Sequence, residues 1–353
     1  MLKRIYAWIC GGLLVLLCAA CLGGKVAPAP LPLDTGTERL PILEESETTT
    51  ATVYYATLDK KHLLPLNLTI NATKEVARVA MEKLLAGPPT AAAAPLLPQD
   101  TKLLDLYSNQ STVYVNVTVE ILQLAGDQAQ LALDSILCTI LPLAEGYSLQ
   151  LLIEGQSIDR LGGVDISAPL FLPVVGINLD AASRERRRLW AEQETPSPGV
   201  SLTYYLSDAQ AMYLVPQTLL YLPNEDEDVK WQGQEEDQRP IAYARAVLKA
   251  MLEADEQESG LWSPFWPGTE LLDLWWEDNI VYVDFSAQLT GYGGGAATES
   301  MMLNCLTYSL TALPGISAVQ LLIEGRPGSL PEGMDISKPL TPQAPLNAIN
   351  DER

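Results

Sequence analysis

Apolar positions along the chain follow two different periods. Val113, Val115 and Val117, and later Val281, Val283 and Phe285, alternate with polar neighbours. That is the two-residue repeat of a half-buried strand. Ala244, Val247, Leu248, Met251 and Leu252 instead recur at the spacing of a helix that buries one face. Leu133, Ile136, Leu137, Ile140 and Leu141 predict another helix, as do Leu303, Leu306, Leu310 and Leu313, and both predicted helices run into a proline, Pro142 or Pro314. Short strands are expected at Tyr54-Tyr55 and Tyr204-Tyr205, each followed by an extended stretch through Leu64-Pro65 or Val215-Pro216.

The same succession occurs twice. Gln150-Leu151-Leu152-Ile153-Glu154-Gly155 recurs unchanged as Gln320-Leu321-Leu322-Ile323-Glu324-Gly325, 170 positions later. Asp165-Ile166-Ser167-Ala168-Pro169-Leu170 recurs at that offset as Asp335-Ile336-Ser337-Lys338-Pro339-Leu340, and Leu104-Asp105-Leu106 and Val113-Tyr114-Val115 recur as Leu272-Asp273-Leu274 and Val281-Tyr282-Val283. Self-similarity at one long offset marks a duplicated domain. The expected fold is α+β, two tandem copies of a small sheet packed against two helices. The expected boundaries are 51–172 and 200–342, with a linker over 173–199, a tail over 343–353 and an acidic insert from Asn224 to Gln238 in the second copy.

Residues 1–20 carry Lys3 and Arg4, an apolar run from Ile9 to Leu17, and Ala19-Ala20 immediately before Cys21. This is the grammar of a secretory signal, with an apolar run short for a membrane span. It resembles a bacterial lipoprotein signal, in which Cys21 receives a diacylglyceryl group and becomes the mature N-terminus. The following stretch, 21–50, is rich in Pro, Thr and Glu and reads as an extended tether. The expectation is an exported chain, lipid-anchored to the outer face of the bacterial cytoplasmic membrane.

Charge and chemistry narrow the function. Lys plus Arg number 22 against 44 Asp plus Glu, a net charge of −22, which repels polyanions, so no nucleic-acid partner is expected. His62 is the single histidine, so neither a His-rich zinc site nor several triads can be assembled. Neither a metal, a cofactor nor a catalytic residue is expected, and the chain reads as a non-enzyme. Cys138 and Cys305, both on apolar helical stretches, are expected as buried free thiols, with an inter-copy disulfide as the other option.

The order of Leu/Val-Pro, amphipathic helix, Leu-Asp-Leu, Val-Tyr-Val, a helix ending in Thr-x-Leu-Pro (Thr139 to Pro142, Thr311 to Pro314) and Gln-Leu-Leu-Ile-Glu-Gly resembles the GerM domain of sporulation and spore germination proteins. The second copy, with Val283-Asp284-Phe285-Ser286, resembles that family more closely than the first, with Val115-Asn116-Val117-Thr118. The resemblance implies a fold like the ring-building modules of the sporulation channel. It also implies a cell-envelope role linked to septal peptidoglycan remodelling, and no catalytic residues carry over.

Several residues are candidate sites by type and spacing. Glu154, Glu324, Asp165 and Asp335 could form paired carboxylates for glycoside hydrolysis, but a repeated Asp-Ile-Ser-x-Pro-Leu also fits a turn in which Asp caps backbone amides. The Gly291-Tyr292-Gly293-Gly294-Gly295 loop lacks the Lys of a phosphate loop, and Asn224 to Asp228 lacks the Gly and distal Glu of an EF-hand loop. Trp262, Trp266, Trp275 and Trp276 fall within fifteen residues of the second copy, and the adjacent Trp275 and Trp276 must point to opposite faces of a strand. Trp266, Trp275 and Trp276 are the candidate binding residues, with a local aromatic core as the competing reading. Arg184, Arg186, Arg187 and Arg188 form a basic run in the linker, either solvated or docked on an acidic face.

The leading expectation is a non-enzymatic, lipid-anchored envelope protein, held to the membrane through its N-terminal lipid. Its tandem domains would mediate protein–protein interaction or assembly in sporulation, spore germination or septal peptidoglycan remodelling. The expected partner is an envelope or sporulation-complex protein, with peptidoglycan as a further candidate. The alternative is an exported lipoprotein that binds a small ligand or glycan.

Overall fold

The tyrosine pairs lie in long hairpins. In the computed structural model, which describes residues 48–144, 146–191, 199–222 and 239–349, β1 (Thr48–Ala56) and β2 (Leu63–Asn71) pair antiparallel with Tyr54 opposite Pro65. Signal, Cys21, most of the tether and the acidic insert lie outside the described residues. The hairpin leads into α1 (Val76–Ala86), then the antiparallel pair β3 (Leu103–Asn109) and β4 (Thr112–Val117). Helix α2 (Asp127–Ile140) carries the chain across to β5 (Ser148–Ile153), which joins β4 in parallel, the pairing that requires a crossover. A short pair, β6 (Arg160–Leu161) and β7 (Val164–Asp165), closes the copy.

The second copy repeats this order after α3 (Ala181–Ala191). Its elements are β8 (Val200–Ser207), β9 (Leu214–Tyr221), α4 (Arg239–Leu252), a single turn α5 (Glu256–Ser259), β10 (Leu271–Glu277), β11 (Ile280–Phe285), α6 (Gly295–Thr311) and β12 (Ala318–Ile323). β13 (Ala348–Ile349) ends the described chain. Both copies are α+β, with the strands of each divided between a hairpin and a three-stranded sheet. Val113, Val115 and Val117 in one copy and Val281, Val283 and Phe285 in the other are fully buried beneath their helices, as the alternation requires.

Helix α2 lies along the open edge of β1 and satisfies it. The Tyr54 N–H donates to Thr139 Oγ1 at 3.0 Å, and Ser135 Oγ donates to the Tyr54 carbonyl at 2.5 Å. In the second copy the Tyr205 N–H donates to Ser309 Oγ at 2.8 Å. Ser309 is thus the structural counterpart of Thr139, two positions before the Thr311 suggested by the Thr-x-Leu-Pro match. Buried hydroxyls in apolar helices are accounted for by this edge, since an unpaired buried amide costs about as much as the lost bond.

The linker and tail are built parts of the fold. α3 follows an N-cap at Asp180, whose Oδ1 accepts the Ser183 N–H at 2.7 Å. Its polar sequence has no apolar stripe because it docks through polar groups. Ser183 Oγ accepts the Leu220 N–H at 2.7 Å and Arg186 donates to the Leu220 carbonyl at 2.8 Å, closing the edge of β9.

Two asparagines join the copies. Asn178, after the first copy, exchanges both backbone bonds with Leu63 (2.8 and 2.7 Å) and donates to Pro216 O at 2.8 Å across the joint. Asn347, after the second copy, exchanges both with Leu214 (2.8 and 2.7 Å) and donates to Pro65 O at 2.8 Å. Both stand in the left-handed region, φ 50° and 48°, which Asn tolerates. Residues 177–180 bond to Thr218 of β9, and β13 pairs in parallel with β2. Each copy therefore sends its trailing segment onto the hairpin of the other, and two-fold pseudo-symmetry relates the exchanged arms.

Candidate functional site

The repeated carboxylates serve turns. Glu154 and Glu324 adopt φ 49° and 50° at the ends of β5 and β12. Beside them Asn116 Oδ1 and Asp284 Oδ1 each accept the following glycine N–H, of Gly155 or Gly325, at 2.8 Å. Asp165 Oδ1 accepts from Ser167 N at 3.0 Å and Asp335 Oδ1 from Ser337 N at 2.8 Å, the Asx turn considered for Asp-Ile-Ser. Bonds from the serine hydroxyl and amide hold both Asp carboxyls below the ordinary carboxylate range. Buried Gln150 and Gln320 donate to Ile166 O (3.3 Å) and Ile336 O (2.8 Å), fastening this segment over the outer side of the terminal strand. The most strongly repeated polar residues are explained by folding.

One buried carboxylate belongs to the second copy alone. Glu299, at the start of α6, is fully buried and accepts from Glu332 N (2.8 Å), Met334 N (2.7 Å) and the Tyr292 hydroxyl. Tyr292 comes from the glycine loop, which leads into α6 as a helix entry. In the first copy Ala129 occupies the corresponding helical position and packs on Gly162, where a Cβ would approach the Ala129 Cβ to 2.4 Å. A small-on-small contact in one copy is a hydrogen-bonded carboxylate in the other.

The tryptophans divide between core and surface. Trp276 packs against the core and its Nε1 donates to Gly315 O at 3.0 Å. Trp275 faces outward and stacks on Tyr282, ring centroids 4.8 Å apart and planes 6° from parallel. Trp262 is half-buried against the core, next to the backbone pairing of Ser207 with Trp262. Trp266 is 46% exposed and lies over Gly291, where a Cβ would come within 3.0 Å of its ring. On the equivalent face of the first copy, Tyr107 stacks on Tyr114 at 5.0 Å and 9°. Leu104 and Leu272, on the same strands as Tyr107 and Trp275, are exposed at 45% and 47%. Paired positions thus present a flat aromatic platform on each sheet.

Cys138 and Cys305 are free and buried. Burial, with the Asp134 charge, pushes the Cys138 thiol up to about 12, and burial raises Cys305 further, so neither is a nucleophile at neutral pH. Among the described residues no group of three His, Cys, Asp or Glu side chains could hold a metal ion, and no helix is long and apolar enough to cross a membrane.

His62 sits in the joint. Its Nε2 lies 2.8 Å from Ser259 O and its Nδ1 3.5 Å from Gln217 Nε2, so the tautomer protonated at Nε2 satisfies the contact with the second copy. Burial lowers its pKa, and the positive charges of Arg184 and Lys61 act in the same direction against the Ser259 bond and Asp59. A cleft of about 700 Å³ opens beside it between α3 and α4, over Tyr204 and Leu219. Sequence reasoning missed this joint. The signal for it was the recurrence of Asn178 as Asn347, one position off the main repeat offset, in segments taken as linker and tail.

The class defined by this structure is a tandem α+β protein whose repeated polar residues are turn and edge fastenings and whose outer sheet faces carry stacked aromatic rings. The model of the Germane family, described as sporulation and spore germination, matches residues 52–159 and 219–329, well over half of the chain, and the chain belongs to that family. The tandem GerMN domains of the sporulation protein GerM from Bacillus subtilis share its fold, with a TM-score of 0.57 at 20% identity over 86% of this chain and 99% of that one. The first GerMN domain of the same protein matches 35% of this chain and 97% of its own, at 19% identity and a TM-score of 0.32. A search of curated protein sequences found no match.

Proposed function

We propose that this chain is a non-catalytic assembly protein of the bacterial envelope, lipid-anchored through Cys21. Its tandem domains dock an envelope or sporulation-complex protein during sporulation, germination or septal peptidoglycan remodelling. The observation that carries this reading is the matched pair of outward aromatic stacks, Trp275 on Tyr282 and Tyr107 on Tyr114. Preordered rings lose little side-chain entropy on contact, and large aromatics are the usual anchors of protein interfaces. Trp266 extends the exposed aromatic surface of the second copy.

The test places a photo-crosslinking amino acid at position 272 in the producing cell. A discrete protein adduct that Trp275→Ala and Trp266→Ala weaken, without a change in thermal unfolding, supports the docking role. An adduct unaffected by both variants, or adducts only with peptidoglycan, rejects it in favour of a structural or glycan-contact surface. Cys21→Ala should move the protein out of the detergent phase, and retained lipid label would reject the anchor. Purified protein should leave peptidoglycan, glycosides and peptides uncleaved.

A further inference from the structure

The basic run of α3 converges with residues far away in sequence. A second cleft, of about 500 Å³, lies where α3 meets the β1–β2 turn, and its charged lining is Lys61, Arg184, Arg187 and Arg188, with His62 and Asn178 beside them. No Asp or Glu lines it, although carboxylates outnumber cations two to one in the chain as a whole. Arg184 and His62 also line the larger cleft between α3 and α4, so the two are contiguous, and the carboxylates Asp180, Glu253, Asp255 and Glu258 belong to the lining of the larger one alone. Arg188 is bonded to Glu185 through both oxygens, at 2.9 and 2.6 Å. Arg184 and Arg187, by contrast, form no side-chain hydrogen bond or ion pair among the described residues, and the charge of Asp134 lies near Arg187.

We propose that this cleft is a binding site for a phosphate group carried by a ligand. Arg184 and Arg187 stand on this concave surface beside Lys61, which is ion-paired with Asp59 at 4.0 Å, and Arg188, which is held by Glu185. A phosphate group offers them more acceptor oxygens than a lone carboxylate, and guanidinium forks present paired donors to those oxygens. Asn178 supplies the geometry, because its bonds to Leu63 and Pro216 fix the floor between the copies. The net charge of −22 does not forbid the site. Screening at physiological salt acts over about 8 Å, so the cations lining a cleft dominate the field felt inside it.

The phosphate could belong to a lipid headgroup or to a soluble phosphorylated compound, and the experiment separates these sources. Full-length protein in neutral detergent is titrated calorimetrically, at physiological salt, with sn-glycero-3-phosphoglycerol as the headgroup diester and with pyrophosphate as the soluble oligophosphate. Saturable binding of either probe is expected, weakened at least tenfold by Arg184→Ala and by Arg187→Ala. Both side chains are exposed, so an unchanged melting temperature shows that the variants remain folded. Arg326→Ala, in the second Glu-Gly turn and part of neither cleft's lining, is the control and should bind as the parent does. Preference between the probes identifies the source. No binding of either probe at millimolar concentration, or binding equal in parent and both variants, overturns the site.

Discussion

The two copies share most of the side-chain fastenings that hold their elements and differ at one buried helix start and on their outer aromatic faces. Gln150 and Gln320 make the same pair of bonds, Asp165 and Asp335 the same turn, and Asn178 and Asn347 the same clamp. At the helix start, however, Ala129 on Gly162 is answered by Glu299 bonded to Glu332 and Met334. On the outer face Tyr107 is answered by Trp275, and only the second copy adds an exposed Trp266. Duplication preserves what backbone satisfaction demands, because a buried amide has few acceptable partners. Outward positions carry no such constraint, and there the second copy carries the larger aromatics.

The strongest way to break the comparison is to ask whether the copies unfold separately. Ile136, buried in α2, replaced by Ala should cost about 2–5 kcal/mol. Every tryptophan side chain described here lies in the second copy. Because each copy holds the other's trailing arm, Ile136→Ala should shift the tryptophan-detected transition in denaturant along with the circular dichroism transition. A tryptophan transition that stays in place would show two independent domains.

Glu299→Ala should follow at about 2 kcal/mol, since it strands two part-buried backbone donors and the Tyr292 hydroxyl. The double variant Glu299→Ala with Glu332→Gly imports the arrangement of the first copy and should recover part of the loss. No recovery would mean the two helix starts are not interchangeable solutions. Asn178→Ala and Asn347→Ala should each cost about 2 kcal/mol, by equal amounts if the pseudo-symmetry is energetic as well as geometric. Chemical denaturation of the two variants side by side measures the difference.

The smallest effect concerns pH. His62 has a folded pKa below its unfolded value, so the unfolded chain takes up the proton first as pH falls. Stability contributed by the neutral ring is present above about pH 6.5 and declines on acidification below it. Asp134 and Asp208, raised by burial, act with the opposite sign at lower pH, so the parent must be compared with His62→Gln. The difference between the two should narrow from pH 7 to pH 5. A constant difference would remove His62 as the source.

Much of this was written in the periodicity. Alternation at Val113–Val117 and helical spacing at Leu133–Leu141 announced which residues are buried, because both periods follow from local backbone geometry. That Trp275 and Trp276 face opposite ways was equally local. Which of them faces the core was not, since it depends on α4, which packs on β10, and on Gly315, 39 positions from Trp276. The basic run was visible as charge, but its cleft needs Lys61 and His62 from the turn between β1 and β2, more than 100 positions earlier.

By itself, then, the sequence determined the duplication, the element order within each copy and the α+β class, all of which rest on contacts and patterns within a copy. Tertiary structure alone decided the joint. Asn347 meets Pro65 across 282 positions and Asn178 meets Leu63 across 115, and no periodicity marks such partners. The polar helix α3 and the short strand β13 bury little apolar surface of their own. They exist because the hairpin edges of β9 and β2 offered unpaired backbone groups, which only the assembled fold brings within reach.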